Sequence, residues 1–120
     1  MARGVLLVIS EPVSEAKEAE YNDWYDNVHL KEVLGLAGFT AARRFQVSQQ
    51  QLVSQGGHEG VTSKFPHKYV AVYEVEADDL GVATNSLNEH GRELTASDAM
   101  AYDRTVAVLL EEISSRGLAG

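Results

Sequence analysis

Two stretches of the chain, Gly4 to Ser10 and Thr105 to Ile113, carry Val, Leu and Ile at consecutive rather than alternate positions. A β-strand turns successive side chains to opposite faces, so strands of this composition are apolar on both sides and need cover on both. Two further strands lie between them. Phe39 to Val47 alternates, with Phe39, Ala41, Arg43, Phe45 and Val47 on one face and Thr40, Ala42, Arg44 and Gln46 on the other; Lys68 to Glu76 is the third strand in chain order. Helical spacing fills the gaps. After the Glu11-Pro12 turn, Ser14 stands at an N-cap with Glu15 and Glu18 close behind, Tyr21, Trp24, Tyr25 and Val28 recur every three or four residues, and Gly35 and Gly38 punctuate the exit. Asp78-Asp79 opens a second helix that fades around His90-Gly91.

The order β-α-β-β-α-β predicts an α+β, ferredoxin-like domain: a four-stranded antiparallel sheet with both helices on one face. With 120 residues, one domain spanning 1–120 and one site are expected. Two helices cover one face only, and an open second face would expose more apolar surface than monomers usually tolerate. A second copy of the same sheet under two-fold symmetry is the simplest cover, which predicts a homodimer closed into an α/β barrel, with room for a small molecule. The segment Ser48 to His67, rich in Ser, Gln and Gly, is longer than most loops and reads as a lid or an extended hairpin arm.

Charge narrows the partners. Ten Lys and Arg against eighteen Asp and Glu give a net charge of −8, which repels nucleic-acid phosphates and anionic lipid alike. The apolar start, Val5 to Ile9, is too short for a membrane span or a signal-peptide core, so a cytoplasmic protein with no membrane partner is expected. Cysteine is absent, which excludes disulfides and thiolate metal sites.

The run Tyr21-Asn22-Asp23-Trp24-Tyr25-Asp26-Asn27-Val28-His29-Leu30, followed by Gly38-Phe39, Ala42-Arg43-Arg44-Phe45 and Tyr69-Val70-Ala71-Val72-Tyr73-Glu74, resembles the EthD-like branch of the dimeric α/β-barrel superfamily. That superfamily includes small cofactor-free enzymes such as muconolactone isomerases, polyketide cyclases and quinone-forming monooxygenases. The resemblance implies the fold more firmly than the reaction. The element nearest the family pattern is the aromatic-x-x-x-His end of the first helix, Tyr25 to His29. The long Ser48 to His67 segment departs from it.

His29 follows Tyr25 by one helical turn and Asn22 by two, which sets all three on one side of the helix. An imidazole there could carry a proton near neutrality, as enolisation, cyclisation or lactone isomerisation requires. The competing reading is a cap on the helix end. Asp26, three residues earlier, could orient His29 or stand as a solvated carboxylate. By strand parity, aliphatic Val70 and Val72 suit the helix-packed side, which sends Tyr69, Tyr73 and Arg44 to the barrel face to hold an oxygenated group, with Phe39 and Phe45 under the helices. Arg44 could equally be a charge that protects an edge strand. Trp24 reads as a core or dimer contact. His29, His58, His67 and His90 match no ligand spacing, and no phosphate loop, nucleophile elbow or dinucleotide fingerprint occurs, so neither metal nor cofactor is expected.

The expectation is therefore a cofactor-free enzyme that moves a proton on an oxygenated aromatic or cyclic metabolite, by isomerisation, cyclisation or elimination. His29 would be its acid/base; Tyr69, Tyr73 and Arg44 would hold the substrate's oxygens; Asn22, Tyr25 and Asp26 would complete the pocket. Two alternatives stand beside it: cofactor-free oxygenation of a phenol, and non-catalytic binding of a metabolite or a stress role.

Overall fold

The computed structural model describes residues 1–51, 54–55, 58–59 and 65–118. Strand β1 (Ala2–Ser10) leads through a 3-10 turn (Glu15–Lys17) into one long helical segment. That segment is built from α1 (Glu18–Trp24), a π-helical stretch (Tyr25–His29) and α2 (Leu30–Leu34). Strand β2 (Phe39–Gln46), the short antiparallel pair β3 (Ser54–Gln55) and β4 (His58–Glu59), β5 (Tyr69–Ala77), α3 (Gly81–His90) and β6 (Val106–Glu111) complete the chain. The rest of the segment read as a lid or hairpin arm lies largely outside the described residues. Among the described residues no helix is long and apolar enough to cross a membrane.

The four main strands form one antiparallel sheet in the order β2-β5-β1-β6, an α+β arrangement compatible with a ferredoxin-like fold. Register sorts the side chains into two faces. The rows Leu109-Leu6-Tyr73-Ala42 and Ala107-Val8-Ala71-Arg44 belong to the helix-covered face; Val106-Ile9-Val70-Phe45 and Val108-Leu7-Val72-Arg43 belong to the other. The core lies under the helices: Leu6, Val8, Tyr21, Trp24, Tyr25, Val33, Tyr73 and Val75 are all buried there. On the opposite face Phe45, Val106, Val108 and Leu110 remain 41 to 49% exposed. The two-sided apolar strands thus leave a continuous hydrophobic sheet face bare in the single chain.

Two turns fix how the helices sit. Gly38 adopts φ 93°, and a Cβ on it would meet Ala83 atoms at 3.1 to 3.2 Å, so α3 can approach the start of β2 only over a glycine. Its carbonyl accepts the Glu76 amide at 2.9 Å, which joins that turn to β5. Ser14 occupies the N-cap position of the first 3-10 turn with extended backbone, but its side chain makes no capping hydrogen bond; its carbonyl takes the Lys17 amide instead.

The strand parity expected for the tyrosines is reversed. Tyr69, Ala71, Tyr73 and Val75 face the helices at 7% exposure or less, while Val70 and Val72 face away. The cause is the aromatic surface of the first helix. Tyr21 packs its ring on Tyr69 at 5.3 Å, Tyr25 and Tyr73 are buried together beneath the helix, and the small Ala71 between the two strand tyrosines leaves room for these rings. Parity also fails within β2. Phe39 pairs with Val75 and Ala41 with Glu74, so one residue, Thr40, is extra. This bulge leaves Phe39 inside, turns Phe45 outward, and brings Arg44 beneath the first helix rather than onto the open face.

Candidate functional site

Seven side chains singled out in the sequence, Asn22, Tyr25, Asp26, His29, Arg44, Tyr69 and Tyr73, lie between the first helical segment and the inner face of the sheet. They fall into two groups that meet at Tyr25.

The outer group is a chain of charge-assisted hydrogen bonds. Arg44 donates from Nη1 to Asp26 Oδ1 at 2.8 Å and from Nη2 to Asn22 Oδ1 at 2.8 Å. Asn22 Nδ2 donates to the Tyr69 hydroxyl at 3.3 Å, and that hydroxyl donates to Glu18 Oε2, which also takes Lys68 Nζ at 2.6 Å. The Lys68 ammonium and the Tyr69 hydroxyl hold the Glu18 carboxyl below its usual range. Three rings pack around the guanidinium carbon, Tyr25 at 4.4 Å, Tyr69 at 5.3 Å and Tyr21 at 5.4 Å, so Arg44, only 12% exposed, sits in an aromatic cage. Asn22, Asp26, Arg44, Phe45, Gln46 and Tyr69 line a shallow concavity of about 480 Å³ at this edge of the sheet.

The inner group is less satisfied. Among the described residues the Tyr25 and Tyr73 hydroxyls, His29 Nδ1 and Arg44 Nε are buried without a well-formed hydrogen bond, the two hydroxyls lying close enough to each other to interact. Each such atom costs about 1 to 3 kcal/mol relative to a paired one. Burial raises the pKa of both tyrosine hydroxyls, most strongly for Tyr73, where the neighbouring Tyr25 hydroxyl reinforces it, so both stay protonated. Tyr21 differs, because its hydroxyl shares a 2.6 Å hydrogen bond with Ser10, itself 1% exposed.

His29 ends the π-helical stretch, in which the Leu30 amide bonds the Tyr25 carbonyl across five residues. The added residue per turn breaks the helical spacing on which Asn22, Tyr25 and His29 would share one side. Asn22 reaches Arg44 and Tyr69, Tyr25 enters the core, and the His29 ring stacks on Trp24 at 4.6 Å with its edge against Tyr25 at 5.1 Å. Asp26 does not orient His29; it pairs with Arg44. Burial lowers the His29 pKa from its ordinary value, and the opposing pull of Glu32 is smaller. The imidazole is therefore neutral at pH 7. Trp24 is fixed in turn by an Nε1 hydrogen bond of 3.0 Å to the Thr95 carbonyl, and Thr95 is held through its amide and hydroxyl by Glu32.

Glu18, Lys68, Ser10 and Tyr21 belong to this assembly and were not singled out from the sequence. Glu18 and Tyr21 stand at helical spacing from Asn22 and Tyr25, a signal within reach. Ser10 carried one as well: it is a polar residue on the Leu6 and Val8 side of a buried strand. Among the described residues no three His, Asp or Glu side chains gather in a way that could hold a metal ion.

Comparisons of the chain with protein-family models, with curated proteins and with solved structures find no match. The EthD-like resemblance rests on the motif residues alone.

Proposed function

We propose that this chain is a cofactor-free enzyme of the EthD-like kind, which binds a small oxygenated aromatic or cyclic compound under its first helix and moves a proton on it. The observation that supports the reading is a cluster of buried polar groups around Tyr25, namely the neighbouring Tyr25 and Tyr73 hydroxyls and His29 Nδ1, none of which makes a well-formed hydrogen bond among the described residues. Folded proteins rarely leave such groups orphaned, and an oxygenated ligand would supply the missing partners. In this reading the two hydroxyls, held protonated, donate to a carbonyl or enolate oxygen, and the neutral imidazole accepts or returns the proton. Asn22, Asp26, Arg44 and Tyr69 form the outer wall, with the concavity beside Arg44 as the approach.

The reading includes assembly. The bare apolar sheet face would be covered by a second copy, closing an α/β barrel that buries more than about 1,000 Å². Sedimentation velocity at micromolar concentration should give a dimer, and Val108→Asp on that face should dissociate it; a stable wild-type monomer removes the barrel.

The site is tested through its single Trp. Trp24 stacks directly on His29, so phenol or cyclohexanone entering beside the imidazole should change its fluorescence saturably, and His29→Ala and Tyr73→Phe should weaken that response. Phenols should consume no oxygen beyond the buffer rate; consumption would shift the reaction to oxygenation. A non-catalytic binding role is the second reading, and the Trp24 stack favours it by restraining the His29 ring. Saturable binding without any turnover would select it.

A further inference from the structure

The groups around Tyr25 are closed in. Among the described residues, the cavities of about 450, 480 and 520 Å³ are lined by other side chains, and none of the three is lined by Tyr25, Tyr73 or His29. The concavity beside Arg44 brings a compound as far as the guanidinium; room beside His29 requires a wall that moves. The sheet and the first helical segment are held by continuous backbone hydrogen bonds. Residues 94–98 are not. They follow the 3-10 turn Gly91–Glu93 and form neither helix nor strand until Ala99 and Ala101, which are buried and bonded to Val13 and Glu11 just after β1.

Thr95 is where this stretch is tied to the first helical segment. Its amide donates to Glu32 Oε1 at 2.8 Å, its hydroxyl donates to Glu32 Oε2 at 3.0 Å, and its carbonyl accepts from Trp24 Nε1 at 3.0 Å. Both partners flank His29: Trp24 stacks on its ring at 4.6 Å, and Glu32 follows it by one helical turn. Leu94 packs against the core at one end of the stretch, while Ser97 bonds locally to Tyr102 and Ala99 at the other. Thr95 itself is exposed, so releasing it uncovers little apolar surface.

We infer that residues 94–98 are a strap over the His29 end of the site, fastened at Thr95, and that releasing Thr95 from Glu32 and Trp24 uncovers His29. The inference rests on the proposed binding reading and adds the route by which its buried groups are reached. Segments that open for ligands come from the least stable parts of a fold, where apolar contacts are few and hydrogen bonds face solvent. The two bonds between Thr95 and Glu32 are of that kind.

Hydrogen exchange on the ligand-free full chain tests the strap independently of binding. In the wild type the Trp24 indole N–H should exchange at least about tenfold faster than the Tyr73 amide in the centre of the sheet, at a rate unchanged by urea below the unfolding transition. Exchange of the indole that matches the sheet and climbs with urea alongside it means opening by global unfolding, and overturns the inference. Glu32→Ala supplies the second measurement. Glu32 does not bond the indole, yet its loss should speed indole exchange by about tenfold or more, because a hydrogen-bonded charge holds the strap shut. Modification of His29 by diethyl pyrocarbonate, followed by peptide mass spectrometry, should accelerate equally, with exposed His90 unchanged as the reference. An indole and a His29 whose rates stay at wild-type values in Glu32→Ala overturn the strap. Should that variant unfold, His90 and the sheet amides rise with them, and the wild-type exchange decides.

Discussion

Removing the Tyr73 hydroxyl should make the ligand-free protein more stable. The side chain is 1% exposed, its ring packs edge-on against Phe39 at 6.0 Å, and its oxygen, though near the Tyr25 hydroxyl, makes no well-formed hydrogen bond among the described residues. Tyr73→Phe keeps the ring contacts and deletes only the desolvated group, whose orphaned state costs about 1 to 3 kcal/mol. The small void left by the oxygen takes back part of that gain, so the net should be about 1 to 2 kcal/mol in favour of the variant. For a chain of this size that is a rise in Tm of about 4 to 8 °C. Tyr21→Phe is the control. It removes an identical atom that is hydrogen-bonded at 2.6 Å to buried Ser10, and should destabilise by about 1 to 3 kcal/mol. Urea unfolding and calorimetry on ligand-free protein measure both. A Tyr73→Phe variant destabilised by more than about 1 kcal/mol would refute the reasoning, because its hydroxyl would then have a partner.

Other perturbations probe the same construction. Arg44→Met should cost about 2 to 3 kcal/mol by urea unfolding, since it strands Asn22 Oδ1 and empties the cage of three tyrosine rings. His29 binds its proton less readily folded than unfolded, so stability should rise with pH from its depressed folded pKa to the ordinary value near 6.5, and be lost as pH falls back through that window. Comparing unfolding of wild type and His29→Gln across pH 4.5 to 7.5, a range of about three units, should show that slope flattened in the variant. Gly38→Ala should destabilise by more than about 1 kcal/mol, from its positive φ and the crowding against Ala83.

Much of the element order was legible because it follows from composition. Consecutive aliphatic residues mark β1 and β6, and aromatic helical spacing marks the first helix. The bare apolar face was readable from the same two strands. What escaped was the direction in which side chains point. Strand parity counts residues, and the extra Thr40 in β2 shifts everything after it by one position. Helical spacing counts turns, and the π-helical stretch from Tyr25 to His29 shifts those as well. Neither irregularity has a local signature here. The inward-facing tyrosines of β5 were misjudged for a different reason: both faces of this sheet are apolar, so hydrophobicity cannot choose between them, and the choice falls to aromatic packing from the helix. The candidate residues therefore come together on the helix-covered face rather than on the open face where strand parity put Tyr69, Tyr73 and Arg44.

The central claim, that a proton is moved at this site, is tested most directly by solvent exchange. Cyclohexanone incubated with the protein in deuterated buffer should incorporate deuterium next to its carbonyl faster than in buffer alone, as followed by NMR. His29→Ala should slow the protein-dependent part by about 10²-fold or more while leaving the circular dichroism spectrum unchanged. Exchange no faster than in buffer, under conditions where Trp24 fluorescence shows the ketone bound, would contradict the account.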